Sequence, residues 1–149
     1  MRVELPDLDA SEALAALIAE RLRPGDVVAL SGALGAGKTT LARAILAGLG
    51  HEGEVPSPSF AIVEPYPAPP LRLPVVHADF YRLGNLSELA EIGLDDLRDG
   101  AALLAEWPEN VGGFAHEPGC LSIALEMEGN ARRAIVRPGF DWLERGRWT

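Results

Sequence analysis

"ALSGALGAGKTTLARAILAGLG", residues 29–50, decides the fold. Inside it, Gly32-Ala33-Leu34-Gly35-Ala36-Gly37-Lys38-Thr39 fits G-x-x-x-x-G-K-[ST], a phosphate-binding loop set between a strand and a helix. Gly32, Gly35 and Gly37 permit backbone conformations that a side chain would forbid. With Leu34 and Ala36 between them, successive N–H groups can then converge on a phosphate. A helix beginning near Lys38 adds the positive end of its dipole. Lys38 is the only lysine of the chain, the other twelve Lys/Arg positions being arginine. An ammonium is a compact point charge that fits between two phosphate groups, where a planar guanidinium is too wide. The Thr39 hydroxyl is placed to hold Mg²⁺, and Thr40 to touch the next phosphate back. The loop predicts a nucleoside triphosphate ligand.

The flanks agree with such a loop. "DVVAL" (26–30) reads as a buried strand, and Leu41, Ala42, Ile45, Leu46 and Leu49 mark one face of the following helix, which ends in Gly48 and Gly50. Upstream, Asp9 and Glu12 have the form of a capping box before Leu14, Leu17, Ile18 and Leu22, and Pro24-Gly25 breaks that helix. Downstream, "SFAIVE" (59–64) and "PVVHADF" (74–80) read as strands. Their proline-rich connection is too short for a crossover helix, so they should be antiparallel neighbours. "LSELAEIGLDDLRDG" (86–100) predicts one or two short helices, and "AALLAEW" (101–107) another buried strand. "CLSIALEME" and "RRAIVRP" flank "GNA" as a terminal hairpin. The expectation is an α/β fold of the P-loop NTPase type. Three layers would hold a mixed, mostly parallel sheet with a terminal antiparallel hairpin, in a single domain over 1–149.

Composition bounds the function. A chain of 149 residues can bury roughly 70% of its unfolded surface. No run of 18 apolar residues spans a membrane, and the acids in "MRVELPDLDASEALAALIAERL" do not suit a signal peptide. Cys120 stands alone in "GCLSIAL", a plain core setting. These features predict a soluble, cytoplasmic protein. The net charge of −9 argues against a protein that grips DNA or RNA by its phosphates. Residues 85–128 hold ten acids against one arginine, and residues 129–149 hold five arginines against two acids. The pattern is that of a solvated acidic face beside a basic tail, or of a docking surface whose sign selects a partner.

Hydrolysis needs more than the loop. Mg²⁺ takes one or two carboxylates beside phosphate oxygens and waters, and α/β sheets bind ligands at the C-terminal ends of their strands. Asp79, ending "PVVHAD", and Glu106, ending "ALLAE", are the candidates. One would help hold Mg²⁺ and the other would orient the attacking water; spacing alone leaves the assignment open. An Asn-Lys-x-Asp guanine reader is impossible in a chain whose single lysine is already used, so ATP is the favoured nucleotide. His77 reads as a core histidine on a buried strand, and no Cys/His cluster suggests a zinc site.

"GALGAGKTTLAR", "SPSFAIVEPY", "HADFYRL", "ELAEIGLDD" and "LLAEWPENV", in that order and spacing, resemble the TsaE (YjeE) family of small bacterial ATPases over roughly residues 5–137. The resemblance implies an ATP- and Mg²⁺-dependent ATPase in the making of threonylcarbamoyladenosine on tRNA. It would work with the TsaB and TsaD proteins and meet tRNA only through their complex. It further implies that Glu106 joins Thr39 at Mg²⁺, that Asp79 serves hydrolysis, and that Ser57-Pro58-Ser59 replaces the family's Ser-Pro-Thr loop with a hydroxyl near the γ-phosphate. Ser11, and less strongly Arg133, would lie near the adenine, and Trp107 either packs or lines the nucleotide pocket. Ala33, where many members carry an acid, and Ser59 in place of Thr depart from the family pattern. Two other functions suit a P-loop: a small-molecule kinase, disfavoured by the short acidic region after Asp79, and a nucleotide-dependent interaction module with incidental hydrolysis.

Overall fold

A computed structural model describes residues 1–56, 63–83 and 86–148. Its seven strands are β1 (Arg2–Leu5), β2 (Val27–Ser31), β3 (Val63–Tyr66), β4 (Val75–Asp79), β5 (Ala102–Glu106), β6 (Cys120–Glu128) and β7 (Ala131–Pro138). The helices are α1 (Leu8–Arg21), α2 (Lys38–Gly48), α3 (Leu86–Ile92) and α4 (Leu94–Leu97). The strands form one sheet in the order β1-β7-β6-β2-β5-β4-β3. Strands β6, β2, β5 and β4 lie side by side and parallel. Antiparallel pairings close both flanks: β3 on β4, β7 on β6 and β1 on β7. β1 thereby runs with the central four, so five of the seven strands share one direction. Val63–Tyr66 pairs antiparallel with β4 as expected, although residues 59–62 of the expected strand 59–64 lie outside the described residues, and the expected terminal hairpin is present.

Two elements differ from the sequence reading. α1 is capped by Asp7, whose extended φ of −148° lets its side chain accept from the Ala10 N–H at 2.8 Å. Asp9 lies within the first turn, where its charge complements the helix dipole. Strand β1 was not expected. Its four residues are too few for a period, and its pairing partner β7 lies more than 120 positions away, from Arg2 opposite Ile135 to Leu5 opposite Arg132.

Alternation along the central strands sends residues to two cores. Val28, Leu30, Leu104 and Ile123 meet Leu14, Ile18, Ile45 and Leu46 of α1 and α2 on one face. Val27, Ala29, Leu103 and Ala105 meet Leu94, Val111 and Phe114 on the other, which completes three layers. α1 and α2 touch closely at Gly48, where a Cβ would fall 2.9 Å from that of Ala19. After β7 the chain folds back over the first core. Trp142 and Trp148 are buried there, and the Arg145 guanidinium pairs with buried Asp26. Among the described residues no helix is long and apolar enough to cross a membrane.

Candidate functional site

β2 is the strand at which the sheet switches direction of growth, with β5 on one side and β6 on the other. The loop 32–37 leaves its C-terminal end at that point, where open α/β sheets form their ligand crevice. Gly32 has φ 140°, and a Cβ there would lie 2.5 Å from the Leu125 carbonyl oxygen of β6. Only glycine fits between the loop and that strand. Gly37, at φ 104°, forms the N-cap of α2, and a Cβ on it would meet the Arg132 guanidinium at 3.0 Å.

Lys38 is buried, and its Nζ donates to the carbonyls of Gly32 at 2.6 Å and Ala33 at 2.9 Å. The ammonium lies 4.3 Å from the centre of the Trp107 ring. Burial pushes its pKa down, against the opposing pull of Glu106, Asp79 and Glu109. A cation held in a partly dry cleft among acids is poised to meet a dense negative charge.

Parallel register sets Asp79 beside Glu106 at the ends of β4 and β5. Glu106 uses both oxygens: Oε1 accepts from the Thr39 hydroxyl at 2.7 Å, and Oε2 contacts His77 Nε2 at 2.6 Å. Asp79 accepts the Tyr81 N–H at 2.9 Å. Burial raises the Asp79 pKa and the Tyr81 bond lowers it; Glu106 then raises it, and His77 and Lys38 lower it. Past β4 the chain is pinned by Asn110, whose amide donates to the carbonyls of Phe80 at 3.0 Å and Tyr81 at 3.2 Å. The Tyr81 ring lies 4.9 Å from that of Trp107, and Trp107 holds a left-handed backbone with φ 58°.

The cavity above these groups encloses about 390 Å³ and is lined by Lys38, Thr39, Thr40, Asp79, Glu106 and Trp107, with Leu34, Gly35 and Gly37 along the loop side. A second cavity of about 660 Å³ shares Thr40 with it and takes in Ser11. A smaller one joins Ser11 to Arg132, and Arg132 also lines the first. The crevice thus runs from the loop to the start of α1.

Of the residues singled out from sequence, the P-loop, Lys38, Thr39, Thr40, Asp79, Glu106 and Trp107 come together, and Ser11 borders the extension. Ala36 is buried behind the loop. Arg133 does not join them. Its guanidinium is engaged by Glu126 and Glu128, because alternation on β7 turns it to the opposite face. Its neighbour Arg132 faces the loop instead. Ser57, Pro58 and Ser59 lie outside the described residues. Sequence reasoning passed over Asn110, although "WPEN" sits beside the candidate acid, and took His77 for core packing.

The donor set suits a Mg²⁺–nucleotide pair. A hydroxyl and two carboxylates are hard oxygen ligands, and a loop whose Gly32 leaves no room for a Cβ presents bare backbone to phosphate. No group of three or more His, Cys, Asp or Glu among the described residues could hold a metal ion by itself.

The family model described as threonylcarbamoyl adenosine biosynthesis protein TsaE matches residues 5–135. A protein of Streptomyces coelicolor named tRNA threonylcarbamoyladenosine biosynthesis protein TsaE is 46% identical over 93 residues, covering 62% of this chain and 63% of that protein. Proteins of the same name from Mycobacterium bovis and Rickettsia conorii are 39% identical over 72% of this chain (68% of theirs) and 33% identical over 84% (70% of theirs). The match therefore spans less than two thirds of the Streptomyces relative's length. Among solved structures, Bacillus subtilis YdiB superposes with a TM-score of 0.71 at 27% identity, over 91% of this chain and 83% of that one.

Proposed function

The chain belongs to the TsaE family, and from that premise we propose that it is a Mg²⁺-dependent ATPase serving the formation of threonylcarbamoyladenosine on tRNA. It would act in the cytoplasm with the TsaB and TsaD proteins and reach tRNA only through them. The observation that carries this reading is the convergence of Lys38, Thr39, Glu106 and Asp79 at the end of the parallel strands, with Thr39 bonded to Glu106 at 2.7 Å.

The roles follow from what each group touches. The loop N–H groups and the positive end of α2 cradle the β-phosphate. On nucleotide binding, Lys38 exchanges the carbonyls of Gly32 and Ala33 for phosphate oxygens, and these neutralise its charge better than neutral carbonyls do. Thr39 and Glu106 would hold the metal, which would supply neutralisation of the charge that develops on the phosphates. Asp79 orients the attacking water and accepts its proton, a task helped by the upward push of burial on its pKa. The Trp107 ring walls the cavity beside the lysine and keeps bulk water from that side. Ser11 and Arg132 border the outer crevice and receive the nucleoside end. With no lysine left to read guanine, the base is adenine.

The test is ATP hydrolysis by the purified chain, alone and with TsaB and TsaD, beside a Glu106→Ala control. A rate raised by the partners and abolished in the control supports the reading. Phosphate transfer to a metabolite, with no response to the partners, would replace it with the kinase.

A further inference from the structure

His77 has no part in that scheme, yet it is the most deeply buried polar residue next to the site. It is 0% exposed and Glu106 is 2% exposed. The two meet at 2.6 Å through His77 Nε2 and Glu106 Oε2. A carboxylate can only accept, so Nε2 carries the proton and donates it, and the ring is oriented by that one bond. Its other nitrogen, Nδ1, is buried and without a hydrogen-bond partner among the described residues. A histidine kept only for packing would not leave a ring nitrogen unsatisfied, since an apolar side chain of similar size would avoid that cost.

The arrangement divides Glu106 between two donors. Oε2 is taken by His77 from within the sheet, and Oε1 is left facing Thr39 at the mouth of the crevice. His77 and Asp79, two positions apart on β4, point to the same face as Glu106, and Asp79 is its neighbour across the β4–β5 register. We propose that His77 is a positioning residue: its Nε2–H locks the rotamer of Glu106 so that a single oxygen is presented with Thr39 to a divalent cation. Outer-shell donors of this kind orient a ligand whose own side chain has three rotatable bonds, and their loss costs about 10–100-fold in metal affinity. The inference rests on the proposed Mg²⁺–nucleotide site.

The test reads metal binding directly. Mn²⁺ in place of Mg²⁺ is titrated into the full chain with ADP and followed by electron paramagnetic resonance, next to ADP affinity in EDTA and thermal melting. His77→Gln can place an amide N–H where Nε2 stands, whereas the shorter His77→Asn reaches only the Nδ1 position. The expected result is Mn²⁺ affinity within about threefold of the parent for His77→Gln and about 10–100-fold weaker for His77→Asn, with metal-free ADP affinity equal in all three. Equal Mn²⁺ affinity in the two variants overturns the proposal. So does a His77→Gln chain that fails to fold or to bind, because one donor at the Nε2 position is then not what Glu106 requires. If the parent chain itself binds no Mn²⁺ with ADP, it is the proposed function that fails, and the control separates the two failures.

Discussion

The Thr39 hydroxyl donates to Glu106 Oε1 at 2.7 Å across 67 positions of sequence, tying the first turn of α2 to the end of β5. Two hard oxygen groups are thereby held together before any ligand arrives, so little ordering remains to be done on binding. Their separate contributions can be read from Glu106→Gln, which keeps one oxygen for Thr39 but sets an amide NH₂ in place of the oxygen that faces His77, and removes the charge. ATP turnover should fall by about 100-fold or more, with metal-free nucleotide affinity within about twofold. Phosphate release and nucleotide titration in EDTA measure the two. Undiminished turnover would remove Glu106 from the metal.

Asp79 separates activity from stability. Burial raises its pKa above the ordinary 3.8. For an acid the folded state then binds the proton more tightly than the unfolded one, so ionised Asp79 lowers stability as pH rises through that window. Asp79→Asn keeps an oxygen for the Tyr81 N–H and removes the charge. The variant should melt higher than the parent at pH 7, while turnover drops by about 10²–10⁴-fold. The parent's turnover should fall on acidification, with its midpoint above 3.8. A variant that melts lower at pH 7 would contradict the cost assigned to the buried charge.

The sequence displayed its site more fully than its edges. A P-loop is legible because each position has a local physical duty, and the strands β2, β4 and β5 because continuous apolar runs bounded by turns have few alternatives. β1 was not legible: "RVEL" becomes a strand only because β7 offers it an edge. The choice between Arg132 and Arg133 was likewise hidden, since it depends on which face of β7 points towards the loop. His77 could be placed on a buried strand, but its bond to Glu106 follows from the β4–β5 register, which no spacing within one strand reveals. The cap of α1 is Asp7 rather than Asp9: both acids of "PDLD" are suited to cap, and Asp7 has the extended backbone a cap requires, whereas Asp9 already lies in the first turn.

Asp26 and Arg145 form a nearly buried pair, with side chains 4% and 6% exposed. Asp26 also accepts the Arg23 N–H at 2.7 Å, and the Arg145 guanidinium lies 4.4 Å from the Trp142 ring. The pair fastens residues 139–148, beyond the part shared with the family model, onto the body of the domain. Removing one partner leaves the other charge buried and unpaired, so Asp26→Ala should cost about 3–5 kcal/mol in urea denaturation. The double variant Asp26→Ala/Arg145→Met should recover part of that loss, since neither charge is then stranded. A double variant no more stable than Asp26→Ala would show that packing, rather than the unpaired charge, carries the cost.

Tyr66 ends β3 with its ring edge-on to His51 at 5.0 Å, and its hydroxyl is buried without a hydrogen-bond partner among the described residues. An unsatisfied hydroxyl gives up water and receives nothing in return. Tyr66→Phe keeps the ring and its contact and removes the orphan, so it should stabilise the fold by about 1 kcal/mol at pH 7, or about 2–4 °C in melting temperature. The gap should widen in alkali. Burial, and next the charge of Glu64, push the phenol above its ordinary 10.0, with Arg43 acting the other way. A neutral phenol is thus favoured in the folded state, and the unfolded chain gains by ionising first. Stability attached to Tyr66 is complete below 10.0 and declines as pH rises from there through the raised folded value. The phenylalanine variant has no such decline. Urea midpoints at pH 7 and about pH 10.5 test both parts: a variant less stable than the parent at pH 7 would mean that the hydroxyl has a partner in solution after all, and a gap that stays constant in alkali would mean that its pKa is not raised.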